Sequence, residues 1–296
     1  MRREVPMYEP RTHTLDVPGA VLHYDVRGDL HTTEPILLLI ASPMDASGFT
    51  SLATHFTDRT VVTYDPRGVT RSKRTDDATQ STPEQHGDDL HRVISTLDAG
   101  PVDLFASSGG AVNALALVAK HPEQVRILVA HEPPTFQALP DRDQALAASR
   151  DIHDTYQRSG IGPAMAKFIA FTGHKGPLPA NYLDQPEPNP SDFGLPSEDD
   201  GLRDDPLIGQ NIISVSQFEP DFEALRAAPT RIVLAAGVES RGEPPYRAAA
   251  AIAERLGTEL VEFPSHHGGF LGGEFGWHGD PDAFAVKLRE VLTART

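Results

Sequence analysis

Two adjacent serines, Ser107 and Ser108, lie in a stretch that runs from Val102 to Pro122 and reads VDLFASSGGAVNALALVAKHP. An apolar run precedes them and an Ala/Leu/Val run follows. Small residues on both sides of a serine, between a buried strand and a helix, are what a sharp strand-to-helix turn requires. A bulky side chain at Ala106 or Gly110 would collide as the chain doubles back. Such a turn holds a hydroxyl exposed in strained geometry at a helix N-terminus, where developing negative charge is favoured. The chemistry is nucleophilic attack by serine, and it needs a base. Thirteen histidines are present. The pair His266-His267, followed by Gly268-Gly269-Phe270, stands out because it comes directly after the last strand candidate. Two carboxylates also follow strand candidates: Glu132, ahead of Pro133-Pro134, and Glu239, two residues past Gly237.

Positioning these groups falls to a chain in which short β-branched or Leu-rich runs alternate with helical patterns, the signature of βαβ units and a mostly parallel sheet. Strands are predicted over 20–26, 35–41, 60–64, 102–106, 125–130, 230–236 and 259–263. Thr82-Pro83-Glu84-Gln85 supplies a capping-box start, with Pro83 at the first helical position, for a helix reaching Leu97. A C-terminal helix is predicted over 281–292 from the spacing of Phe284, Val286, Leu288 and Leu292. Between about 134 and 228 the strands vanish, and helical stretches over 143–157 and 163–171 surround an acidic, proline-rich segment at 181–206. This segment reads as a solvated loop, since it cannot bury enough apolar surface to offset its ordering entropy. The expected division is a core from 1 to 135, a helical cap from 136 to 228 over the strand C-termini, and the rest of the core from 229 to 296. Phe168, Phe171, Tyr182 and Phe218 of the cap are candidates for pocket lining or for packing.

On these motifs the chain resembles the α/β-hydrolase superfamily, in its serine esterase and lipase-like branch, whose nucleophile elbow is written G-x-S-x-G. Ala106 stands at the first position. Ser108 as the central serine gives Ala106-x-Ser108-x-Gly110, whereas Ser107 would place Phe105 where a tiny residue is needed. The resemblance implies an α/β fold, a mostly parallel doubly wound sheet with an inserted helical cap, and Ser108 as nucleophile. Ile40 and Ala41 stand where the family carries His-Gly, so by position the backbone N–H groups of Ser42 and Gly109 are the implied oxyanion donors. His267, with Gly269-Phe270 behind it, fits the family's general base; His266 does not. The family usually carries its acid three residues past the glycine at Gly237, a position filled here by Ser240. Neighbouring Glu239 is the first candidate acid and Glu132, where some lipases carry theirs, the second. Asp65-x-Arg67-Gly68 looks like the family's Asp-x-Arg-Gly turn, with both side chains structural.

Composition narrows the partners. The chain has 26 Lys and Arg against 42 Asp and Glu, a formal net charge of −16, so nucleic acid is disfavoured by repulsion. The longest apolar runs, such as 36–41, are far too short to span a bilayer, and the opening residues lack the apolar stretch of a secretory signal. There are no cysteines, which excludes a thiol nucleophile and fits a cytoplasmic setting. No H-E-x-x-H spacing occurs, and no metal or cofactor is expected. Serine at the elbow argues against epoxide hydrolase or dehalogenase chemistry. The expected function is hydrolysis of a small, largely apolar ester or lactone, a small-molecule substrate, through an acyl-enzyme. The alternatives are a ligand-binding pseudo-hydrolase and a cofactor-free perhydrolase or carbon–carbon hydrolase.

Overall fold

The computed structural model describes residues 9–30 and 33–294. The opening segment read above as lacking a leader falls largely on residues 1–8, outside the described residues, as do both chain ends of the expected domain division. Among the described residues nine strands form one sheet: β1 (Arg11–Val17), β2 (Ala20–Arg27), β3 (Leu37–Ser42), β4 (Val61–Asp65), β5 (Lys73–Arg74), β6 (Val102–Ser108), β7 (Val125–His131), β8 (Arg231–Gly237) and β9 (Val261–Phe263). Their order is β1-β2-β4-β3-β6-β7-β8-β9, with β5 on β2. From β4 to β9 neighbours run parallel, while β1, β2 and β5 pair antiparallel.

The seven predicted strands all form. β1 and β5 were not expected, because β1 is an exposed edge strand whose polar residues give no apolar run. The central strand β3, LLLIAS, is buried on both faces, as a parallel sheet covered by helices on each side demands. Its even-numbered residues Leu38 and Ile40 pack with Leu104 and Ala106 of β6 in one core layer, its odd-numbered Leu37, Leu39 and Ala41 with Phe105 in the other.

The helices are α1 (Thr50–Ala53), α2 (Pro83–Leu97), α3 (Gly109–Lys120), α4 (Arg142–Ser159), α5 (Ile161–Thr172), α6 (Ile212–Gln217), α7 (Phe222–Ala227), α8 (Pro244–Leu256) and α9 (Pro281–Thr293). Thr82 caps α2 by accepting from the Gln85 N–H. Helices α4 to α7 lie between β7 and β8, and those nearest the acidic segment share a separate apolar cluster built on Phe136, Ile152, Tyr156, Phe171 and Ile208. The acidic segment is mostly exposed, as expected, but it is not featureless. It forms 3₁₀ turns at Tyr182–Asp184 and Pro190–Phe193, and Arg203 is paired with Asp199 and stacked over the Tyr156 ring. Among the described residues no helix is long and apolar enough to cross a membrane.

Among the described residues two histidines are wholly buried. His86, on α2, meets Asn211 Oδ1 at 2.9 Å and so ties the core to the segment ahead of α6. His131 ends β7. Burial pushes each ring down to about 4; the Arg67 and Arg74 charges add to this at His86, and the His267 and His266 charges at His131. A ring titrating near 6.5 when unfolded and near 4 when folded binds its proton only in the unfolded chain between those values. Stability is then full above about pH 6.5 and is lost as pH falls toward 4. We expect the unfolding free energy to fall across this window, with His86→Gln reducing the slope near pH 5.5 by about 1 kcal/mol per pH unit. Denaturant titrations at several pH values measure it; equal slopes for both proteins would contradict the burial account.

Candidate active site

The C-terminal ends of the parallel strands converge on one edge of the sheet. Ser108 is the last residue of β6 and the N-cap of α3, with φ 57° and ψ −133°. This is a costly conformation for a residue with a β-carbon, of order 1–3 kcal/mol, and such strain gathers at functional sites. What forces it is close packing: a Cβ on Gly110 would lie 2.6 Å from Ala41 Cα, so the first turn of α3 sits directly on β3. Ser107, by contrast, is 1% exposed and lies 3.4 Å from His131 Nδ1. It belongs to the layer of Phe105 and faces away from α3.

Glu132 follows β7 directly, also at positive φ (48°), and is fully buried. Its Oε1 accepts from the Gly237 N–H at 2.8 Å and its Oε2 meets His267 Nδ1 at 2.5 Å. His267 lies in the loop after β9, which is pressed against the end of β8: a Cβ on Gly237 would fall 2.6 Å from the Ser265 carbonyl oxygen. Burial works against the charge on both partners, but their mutual attraction and hydrogen bond outweigh it. The carboxylate is held well below its usual range and the ring above its own. With Nδ1–H committed to Glu132, Nε2 is the nitrogen left to act as base, and the side chain keeps 36% of its surface exposed.

His266 is spoken for. Gly268 N–H donates to its Nδ1 at 3.0 Å, so Nε2 carries the proton and donates to the His278 carbonyl at 3.1 Å. Glu239, placed first from sequence, does not meet the ring. Its backbone N–H donates to the Ser265 carbonyl, which anchors the His267 loop, and its side chain is exposed. The order of the two candidate acids is therefore reversed: the turn after β8 sends Glu239 to solvent, while Glu132 lies buried beneath the imidazole. Glu243, at the start of α8, also faces the site; burial and the nearby Glu132 charge push it up.

Ser42 ends β3 and pairs in register with Ser108, and Gly109 opens α3 beside it. The loop after Ser42 is braced from below. Asp65 accepts from the Ala46 N–H at 3.0 Å and from Arg71, and Asp45 is held by Thr70. Arg67 is buried and bidentate to Asp89. A further carboxylate went unrecognised in the sequence: Glu274 accepts from the Ser51 and Gly272 N–H groups and so fastens the His267 loop to the start of α1. Phe171 and Tyr182 pack on each other and line a cleft of about 130 Å³ in the helical insertion that includes none of Ser108, Glu132 and His267. Phe218 lends its carbonyl to Thr135. Among the described residues no group of three or more His, Asp or Glu side chains is placed to hold a metal ion.

A family model described as alpha/beta hydrolase fold matches residues 34–177. The "Uncharacterized hydrolase YraK" of Bacillus subtilis (strain 168) is 36% identical over 265 residues, covering 87% of this chain and 89% of its own. The chain belongs to the α/β-hydrolase fold family. Among solved structures it is similar to a thermophilic esterase from Thermogutta terrifontis (TM-score 0.65, 19% identity, 96% of this chain and 98% of that one). It is also similar to the enol-lactonase from Burkholderia xenovorans LB400 (TM-score 0.61, 16% identity, 95% and 100%).

Proposed function

We propose that the protein is a cytoplasmic serine hydrolase that cleaves a small, largely apolar carboxylic ester or lactone through an acyl-enzyme. The observation that carries this reading is the Glu132–His267 hydrogen bond of 2.5 Å on the same sheet edge as a serine held at φ 57°. Ser108 Oγ attacks the carbonyl carbon and His267 Nε2 takes its proton. Glu132 fixes the ring's tautomer and stabilises the imidazolium, and the N–H groups of Ser42 and Gly109 receive the oxyanion. Collapse expels the alcohol, which takes its proton from His267; water then repeats the sequence on the acyl-enzyme. For a lactone, the alcohol and acyl groups belong to one molecule.

Residues 136–228 act as the cap that excludes water from this step. Three contacts support that role by fastening the insertion to α8 and the turn before it: Gly176 N–H donates to the Gly242 carbonyl at 2.9 Å, and Arg247 of α8 donates to Asp141 and to the Gly176 carbonyl. The ester or lactone class is supported by the esterase and enol-lactonase among the similar structures.

An alkyl fluorophosphonate is expected to label Ser108 stoichiometrically, read by peptide mass spectrometry, and to block cleavage of short-chain p-nitrophenyl esters and aliphatic lactones. Label on another residue, or no label with no turnover across both series, would remove the proposal.

A further inference from the structure

We propose that the side-chain hydroxyl of Ser42 is a third donor to the oxyanion, beside the backbone N–H groups of Ser42 and Gly109. The proposal rests on the serine-hydrolase reading above. Ser42 is 3% exposed, and its Oγ is buried without a hydrogen-bond partner. An unpaired buried hydroxyl is destabilising, so its place in the fold calls for a partner that arrives later.

Its position identifies that partner. Side chains alternate along a strand, and Ser42 continues the row of Leu38 and Ile40, which shares a core layer with Leu104 and Ala106. Ser42 and Ser108 pair in register, so the two hydroxyl-bearing residues stand at adjacent strand ends, about 5 Å apart by strand spacing. The first turn of α3 closes the third side. A Cβ on Gly109 would lie 3.5 Å from Ser42 Cβ and 2.8 Å from the Ser42 carbonyl oxygen. The hydroxyl thus stands beside the N–H groups that would receive the oxyanion. It rotates freely about one bond and can turn its hydrogen toward the oxygen as charge develops there. The Ser42 carbonyl that crowds Gly109 is an acceptor and would repel that oxygen, so the donors must come from the other groups of this corner.

In the reacting complex, Ser108 Oγ bonds to the carbonyl carbon while the π pair moves onto the carbonyl oxygen. Ser42 Oγ–H donates to that oxygen without giving up its proton. When the tetrahedral species collapses, the pair returns and the leaving group takes the proton held by His267. The hydroxyl is a net gain only when the oxygen is charged, so its effect belongs in kcat more than in KM.

The test compares wild type with Ser42→Ala, with active sites counted by phosphonate titration so that any misfolded fraction drops out. We expect kcat per titrated site to fall about a hundredfold, KM to change less than about threefold, and the inhibition constant of a trifluoromethyl ketone to rise by a comparable factor. The melting temperature should stay level or rise, because an unpaired hydroxyl has been removed. A kcat within threefold of wild type, or a lower melting temperature with kcat per site unchanged, overturns the proposal and leaves the hydroxyl a packing group. A wild-type protein that neither takes the phosphonate on Ser108 nor cleaves any ester fails the serine-hydrolase reading itself, and this proposal with it. An active, labelled wild type with an unchanged Ser42→Ala fails this proposal alone.

Discussion

Ser108→Ala is expected to lower kcat for ester cleavage by roughly four to six orders of magnitude, while Ser107→Ala stays within about tenfold of wild type. The two serines are neighbours in sequence but not in environment. Ser108 is the residue at which β6 becomes α3, half-buried at the strand end and carrying the positive φ that swings its side chain out of the sheet. Ser107 is sealed in the opposite layer among Phe105 and His131, and the contact of its hydroxyl with His131 Nδ1, at 3.4 Å, is a weak one. Removing the Ser107 hydroxyl therefore costs little. The same geometry predicts a stability signature: Ser108→Gly should be more stable than Ser108→Ala by about 1 kcal/mol, because glycine takes φ 57° without a β-carbon to strain. Steady-state kinetics on the three variants, with denaturant midpoints for the Ser108 pair, measure both effects. A dead Ser107→Ala beside an active Ser108→Ala would reverse the assignment.

The elbow was legible in the sequence because sterics dictate it. A strand that turns straight into a helix packed on the neighbouring strand needs small residues at fixed places, and Ala106, Gly109 and Gly110 occupy them. The parallel strands were legible because burial on both faces leaves continuous apolar runs such as Leu37 to Ala41. β1 was not, since an exposed edge strand obeys no such constraint and its residues alternate among polar types. The choice between Glu132 and Glu239 was out of reach for a different reason. Both carboxylates leave the same edge of the sheet, and what separates them is the direction a side chain takes after one or two turn residues. Glu132 adopts φ 48° and folds down under the imidazole. Glu239 lies in a short 3₁₀ turn whose backbone anchors the His267 loop and whose side chain points to water. The His-Glu-Pro-Pro run was the available signal, a carboxylate at a strand end that two prolines terminate.

Glu132→Gln is the second variant with a large expected effect. Its Oε2 receives the His267 Nδ1–H at 2.5 Å and its Oε1 the Gly237 N–H at 2.8 Å, so the carboxylate is both the ring's counter-charge and a strut between β7 and β8. The amide can keep only part of this. If its oxygen stays on Gly237, its NH₂ faces Nδ1 and drives the ring to the tautomer with hydrogen on Nε2, which cannot accept the Ser108 proton. If its oxygen turns to the ring, the NH₂ confronts the Gly237 N–H, two donors face to face. Either arrangement also removes the charge that stabilises the imidazolium formed during attack. We expect kcat to fall about a hundredfold to ten-thousandfold in Glu132→Gln and to change less than about threefold in Glu239→Gln. The pH profile carries an independent mark. In wild type, kcat/KM should be lost as pH falls through the His267 pKa, which Glu132 holds above its ordinary value. With the carboxylate gone that support is gone, and the acid limb of the residual activity should move to lower pH. A limb that stays in place in Glu132→Gln, or a Glu239→Gln that loses activity as Glu132→Gln is expected to, would take the acid's role away from Glu132.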